Sequence, residues 1–228
     1  MRDAGPDQLE GGVMDAQVLA VNVGKAETGP WTGRVGRSGI RKLAVDGPVM
    51  ARRTGMAGDT VCDRKFHGGP NKAVYAFARE DLDHWQEELG RPVPDGHFGE
   101  NLTTSGIDLN AALLGERWRV GAALLEVSTV RTPCRVFAGW MGLTGYDDTA
   151  WIKRFTAHGH PGAYLRVLEE GAVERGDGIE VVERPDHDVT IELAFRAFTT
   201  ERALLPALLV VEDLSEDLRR KAVAYLAH

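Results

Sequence analysis

The chain carries 27 glycines in 228 residues. Up to Pro185 they cut it into apolar runs short enough to be strands, with few stretches left for helices. Ala16–Val23 reads as a strand closed by Gly24-Lys25. Further β-type runs fall at Pro48–Thr54, Asn101–Thr104, Arg117–Val120, Leu124–Val130, Ala163–Leu168 and Gly178–Val182. Gly29, Gly33, Gly36 and Gly39 keep the segment before Ile40 irregular. Two stretches change period. Arg79–Leu89 places Leu82, Trp85 and Leu89 at helical spacing and ends at Gly90, and Thr149–His158 sets Trp151, Ile152 and Phe155 on one face. Many short strands with few helices predict a mainly β (α+β) chain built on a closed, barrel-like sheet with flanking helices.

After Pro185 the pattern turns helical. Val189–Phe198, Glu201–Leu209 (capped by Thr199 or Thr200) and a last helix from Leu214 or Ser215 to Leu226 are expected. Ser215 is its N-cap, and Leu218, Val223 and Leu226 are its apolar residues. Three helices in about 40 residues bury little by themselves, so they are expected to pack on the barrel or on a second chain. Residues 1–15 are polar and glycine-rich and read as disordered, with Met14 an alternative start. The expected division is therefore 1–15, a β domain over 16–184 and a three-helix appendage over 185–228.

Net charge is −7 and no basic stripe appears, which argues against nucleic-acid binding. No apolar stretch reaches the roughly 18–20 residues that cross a bilayer, and no apolar signal region opens the chain. The two cysteines, Cys62 and Cys134, form no secreted disulfide framework. These features together lead to the expectation of a cytoplasmic protein.

Four constellations carry chemistry. In Arg131-Thr132-Pro133-Cys134-Arg135 a thiol follows an apolar strand and is flanked by two guanidiniums, a setting that stabilises a thiolate, although a packed cysteine is equally common. In His67-Gly68-Gly69-Pro70, glycine backbone can approach an anion and His67 can orient it or move protons; a histidine beside a tight turn reads as well. Glu100 and Asn101 in Phe98-Gly99-Glu100-Asn101-Leu102 can bind substrate or, more commonly, brace a loop. Lys25, Arg34, Arg37, Arg41 and Lys42, with Ser38 and Gly39 among them, suit a small anion such as phosphate, or form a solvated loop. Cys62 stands beside Asp63, which disfavours a thiolate, and reads as structural or incidental. His158 and His160 lie in a Gly/Pro loop with no partner cluster in sequence, so direct zinc ligation is not expected. No nucleotide or hydrolase motif is present.

Taken in order, Gly24-Lys25, Ser38-Gly39-Ile40-Arg41-Lys42, Gly55-Met56-Ala57-Gly58-Asp59, His67-Gly68-Gly69-Pro70-Asn71-Lys72-Ala73, Phe98 to Leu102, Arg131-Thr132-Pro133-Cys134 and Gly162 to Val167 resemble the MOSC domain, named for the C-terminal domain of molybdenum cofactor sulfurase. The helical tail resembles the "3-alpha" appendage of its YiiM-like branch. The resemblance implies a barrel with one reactive cysteine, Cys134, that carries persulfide sulfur or ligates molybdenum of the pterin cofactor. His67 would then face Cys134. Lys25, Ser38, Arg41, Lys42, Asp59, Gly68, Gly69, Asn101 and Arg131 would hold the cofactor. It implies reduction of N-hydroxylated compounds with an electron-donor protein as partner, or sulfur transfer from a separate cysteine desulfurase. Pyridoxal phosphate enters only as a family association, since no pyridoxal-binding lysine motif is present. A non-catalytic assembly module that docks or dimerises through the tail is the third expectation. Two positions depart from the family pattern: Phe66 replaces the first histidine of His-His-Gly-Gly, and Leu43 stands where relatives often have an acidic residue.

Overall fold

The computed structural model describes residues 15–227. The disorder expected for residues 1–15, and Met14 as a start, lie outside those residues except for Asp15. The strands are β1 Gln17–Gly24, β2 Glu27–Thr28, β3 Arg37–Ser38, β4 Lys42–Ala44, β5 Val49–Arg52, β6 Gly55–Met56, β7 Val74–Ala78, β8 Leu102–Ser105, β9 Arg117–Val120, β10 Ala123–Val130, β11 Ala163–Glu169, β12 Gly171–Val173 and β13 Ile179–Glu183. The helices are α1 Arg79–Leu89, α2 Arg135–Leu143, α3 Trp151–His158, α4 Ile191–Thr199 and α5 Glu216–Leu226.

Eight strands make one sheet in the order β13-β9-β10-β11-β7-β8-β1-β4. Neighbours are antiparallel except β7 with β8, which α1 links as the crossover that a parallel pair requires. The fold is mixed α+β, with a large sheet and several helices, and the closed barrel expected from the sequence does not form as a continuous ladder. The edge of β1 that closure would give to β13 is taken by β4 along Asn22–Gly24. What remains is one isolated bridge, Gln17 with Gly178, and the backbone bonds Val18 N–H to Asp177 O, Ile179 N–H to Ala16 O and Gly176 N–H to Val18 O.

Side-chain alternation on β7 and β11 divides the interior in two. Val74, Ala76 and Ala78, with Ala163, Leu165 and Val167, enter the main apolar core. Tyr75, Phe77 and Tyr164 point the other way, into an aromatic cluster with Trp85, Phe98, Phe137, Trp151 and Phe155. Each fully buried ring contributes about 1.5–3 kcal/mol of transfer free energy. β7 is buried on both faces, so its run VYAFA carries no polar alternation and the pattern gives no strand there. α1 buries Leu82 and Trp85 in the aromatic cluster, as its spacing predicts. On α3, Trp151 and Phe155 are buried but Ile152 is exposed, off the expected face.

The tail packs on the sheet rather than standing apart. Phe195, Leu205, Leu208, Leu218 and Ala222 share the main core with Leu125 and Leu165. α4 begins at Thr190, whose hydroxyl accepts from Leu193 N–H. The second expected helix, Glu201–Leu209, is a 3-10 segment over Arg202–Val210, because Pro206 has no N–H to continue an α-helix. Ser215 does precede α5, but its hydroxyl meets Thr129 Oγ1 at 3.3 Å instead of capping. Val223 and Leu226 are exposed; Leu218 and Ala222 form the buried face. No helix among the described residues is long and apolar enough to cross a membrane.

Candidate functional site

Cys134 lies where the chain leaves β10 and enters α2. It holds the N-cap position with an extended backbone, and its carbonyl accepts from Ala138 N–H at 3.1 Å. The thiol is unpaired and half-buried, and the first turn of α2 places its free N–H groups around this position. Proline at 133 ends the strand, as its missing N–H demands; the helix that follows is not apparent from the sequence, because RVFAGWMGL is apolar on most sides.

A pocket opens beside Cys134. Of the expected residues it is lined by Cys134, His67, Ser38, Lys42, Asp59, Asn101 and Arg131. Lys25 and Arg41 are exposed and outside it, and Arg41 pairs with Glu27 at 3.1 Å. Gly68 and Gly69 do not line it either; Gly68 packs against Arg64. Arg135 points to solvent, so of the two guanidiniums that flank the thiol in sequence only Arg131 lines the pocket. Arg37 is exposed and lines the pocket. Leu43 and Phe66, the two departures from the family pattern, are each 60% exposed and do not line it.

One wall is a closed polar network. Lys42 Nζ reaches both oxygens of Asp59 at 2.6 Å, with both side chains under a tenth exposed. Asp59 also accepts from Gly24 N–H at 2.7 Å and from Asn101 Nδ2 at 2.9 Å. Asn101 Oδ1 accepts from Tyr75 N–H at 3.1 Å. These groups satisfy one another, so the Lys42 charge is spent within the protein. Close packing of this wall needs Gly39, where a Cβ would collide with the carbonyl of Thr60. Glu100, fully buried, is a brace outside the pocket: it accepts from Gly96 N–H, Phe98 N–H and Thr103 Oγ1. Burial pushes its carboxyl up to about 7 against the pull of those hydrogen bonds.

The other wall is open. Arg131 is 4% exposed, its guanidinium lies 4.0 Å from the Phe137 ring centroid, and no carboxylate among the described residues pairs with it. Its Nη2 makes one long bond, 3.5 Å, to Phe98 O, and Nη1 is buried with no partner. Burial, reinforced by Arg131, pushes the His67 imidazole down to about 4, so it is neutral at pH 7. Its Nδ1 meets Tyr164 Oη at 3.3 Å. Burial pushes the Tyr164 hydroxyl up to about 12 despite Arg131, and Cys134 adds to the rise. His67 thus offers the pocket a neutral imidazole at pH 7, in hydrogen-bond reach of the Tyr164 hydroxyl.

A sequence profile of the MOSC domain matches residues 63–180. YflK of Bacillus subtilis is 34% identical over 179 residues, covering 78% of this chain and 79% of YflK. The chain belongs to the MOSC domain family. The crystal structure of YiiM from Geobacillus stearothermophilus superposes with a TM-score of 0.77 at 30% identity, over 92% of this chain and 99% of that one. A protein of Gibberella moniliformis named reductase is 32% identical over 173 residues; these are 74% of this chain but 29% of the fungal protein.

This MOSC domain brings further residues to the pocket. Tyr164, Tyr75 and Cys62 line it. Tyr164 stands in the Gly162–Val167 motif, but only the alternation of β11 shows that it points away from the main core. Cys62, which reads in sequence as structural or incidental, has its thiol pushed up by burial, with Arg37 and Lys42 pulling down and Asp59 adding to the rise. Elsewhere, Asp81 of α1 meets His158 and His160, the pair that lacks a partner cluster in sequence. Helix packing supplies this third group from 77 positions upstream of His158, a proximity that no local pattern shows.

Proposed function

We propose that this protein holds the molybdenum cofactor in the pocket beside Cys134 and reduces N-hydroxylated compounds. The observation that carries the reading is Arg131, a buried guanidinium with no carboxylate partner among the described residues and an orphaned Nη1. An uncompensated buried cation costs several kcal/mol unless an anion meets it, and a phosphate-bearing pterin brings one. A soft thiolate suits a metal of this type. The name of the fungal relative, reductase, supports the direction of the chemistry.

Cys134 Sγ would ligate the metal. Arg131 would take an anionic oxygen, and Ser38, whose Oγ accepts from Ile40 N–H at 3.2 Å, keeps its own O–H free to donate to another. Arg37 adds a second cation. The cofactor's contribution when bound is two-electron transfer: with two protons, N–OH becomes N–H and water, the electrons coming from a separate redox protein. Tyr164 keeps its proton at neutral pH and presents a hydroxyl that neutral His67 orients. The aromatic cluster behind Tyr75 and Tyr164 excludes water from that side.

Expression in a host that makes the cofactor, followed by molybdenum and pterin analysis, tests the reading. Wild type should carry near-stoichiometric molybdenum, Cys134→Ser none, and Arg131→Met far less. Molybdenum retained in Cys134→Ser would refute Cys134 as ligand. Its absence from all three would favour the sulfur-carrier reading, for which desulfurase treatment should add the mass of one sulfur, about 32 Da, to Cys134.

A further inference from the structure

Outside the pocket, Asp81, His158 and His160 converge at the junction of α1 with the end of α3. Asp81 Oδ1 lies 2.8 Å from His160 Nδ1 and 3.9 Å from His158 Nε2. The second separation is too long for a hydrogen bond, and His158 Nε2 is buried with no partner. A buried imidazole nitrogen left unpaired costs about 1–3 kcal/mol. The rings are held in place: His158 stacks on His84 at 4.1 Å and 6°, on His160 at 4.7 Å and 27°, and stands edge-on to Trp85 at 5.2 Å. Asp81 is fixed in the first turn of α1. Burial works against its charge, but the imidazoles outweigh burial and keep its carboxyl below the usual range.

We propose that Asp81, His158 and His160 bind one zinc ion, with water completing the coordination. Two imidazoles and one carboxylate are a donor set zinc accepts. With bonds of about 2.0–2.1 Å, tetrahedral donors stand about 3.3 Å apart. The two separations measured from Asp81 bracket that value, and all three donor atoms lie within 4.8 Å of one another, so the donors close on an ion by shifts of up to roughly 1.5 Å. The ion gives His158 Nε2 its missing partner. His160 is 41% exposed and provides the entry path. The nitrogens of His84 do not join the cluster; its Nε2 is 3.7 Å from Glu88. Bound there, zinc ties α1 to the loop after α3. That loop leads into β11 and Tyr164, and its Pro161 carbonyl accepts from Tyr75 Oη at 2.7 Å. The site is thus a clamp behind the pocket that takes no part in its chemistry.

The test is zinc titration of the apo full-length protein by calorimetry, beside Asp81→Asn, His158→Gln and His160→Gln, and a Cys62→Ser/Cys134→Ser protein. Wild type and the cysteine-free protein should each take up one zinc. Each of the other variants should bind more weakly by more than the roughly 10–100-fold that loss of an outer-shell partner costs. Cobalt in wild type should give a spectrum without a thiolate charge-transfer band, which keeps the test valid if a variant misfolds. No zinc uptake by wild type, uptake unchanged in all three variants, or a thiolate–cobalt band would each overturn the proposal.

Discussion

Lys42 and Arg131 are buried cations on the same pocket, and their surroundings are opposite. Lys42 meets Asp59 in a network that also satisfies Gly24 and Asn101. Arg131 meets the faces of Phe137, Tyr75 and Phe155 and one distant carbonyl. A basic residue in a glycine-rich segment is an anion-binding group only when no internal carboxylate has claimed it. Among the cations of residues 25–42, Lys42 and Arg41 are claimed and Arg37 remains at the pocket.

The largest effect should come from breaking the closed wall. Asp59→Ala leaves Lys42 buried without a counter-charge and should cost about 3–5 kcal/mol in urea unfolding. A loss below about 1 kcal/mol, the range of exposed pairs, would show the network to be open to water. Glu100→Gln comes next. It puts a donor where an oxygen now accepts a backbone N–H, at a cost of about 1–3 kcal/mol. Because the folded-state pKa of Glu100, about 7, lies above the ordinary 4.5, its protonated form contributes stability below about pH 4.5 that is lost as pH rises through 7. Melting temperature against pH should lose that downward slope in Glu100→Gln; an unchanged slope would place the buried proton elsewhere.

On the open wall, His67 works in the other direction. Its folded pKa of about 4 lies below the ordinary 6.5, so its contribution, on the order of 1–3 kcal/mol, is present above pH 6.5 and lost as pH falls toward 4. His67→Gln should flatten that acid limb. In wild type the ring should show no NMR titration between pH 6 and 8, and an inflection there would mean that it is solvated and free to act as an acid. The smallest effect on stability should be Arg131→Met. It breaks no ion pair, and the desolvation cost that it relieves opposes the cation–π attraction of three rings that it removes, so the two should nearly cancel and stability should change by about 1 kcal/mol or less. A loss as large as that of Asp59→Ala would erase the contrast between the walls.

Much of the fold was legible where period and punctuation agree. α1 begins and ends where Leu82, Trp85 and Gly90 put it, and β9 coincides with its run. β7 and α2 were not legible, because both are apolar on nearly every side and have no polar face to set a period. The open sheet was also hidden, since which strand takes the free edge of β1 is a question of pairing between distant segments.

The sequence by itself determined the family, through motifs carried in order, and it singled out Cys134, because proline and a strand end are local signals. Only the tertiary structure decided which charges are free. It paired Lys42 with Asp59, turned Arg135 outward, left Arg131 without a carboxylate and brought Asp81 to His158 and His160. Charge compensation acts across space between residues 17 to 77 or more positions apart, and no local pattern records it.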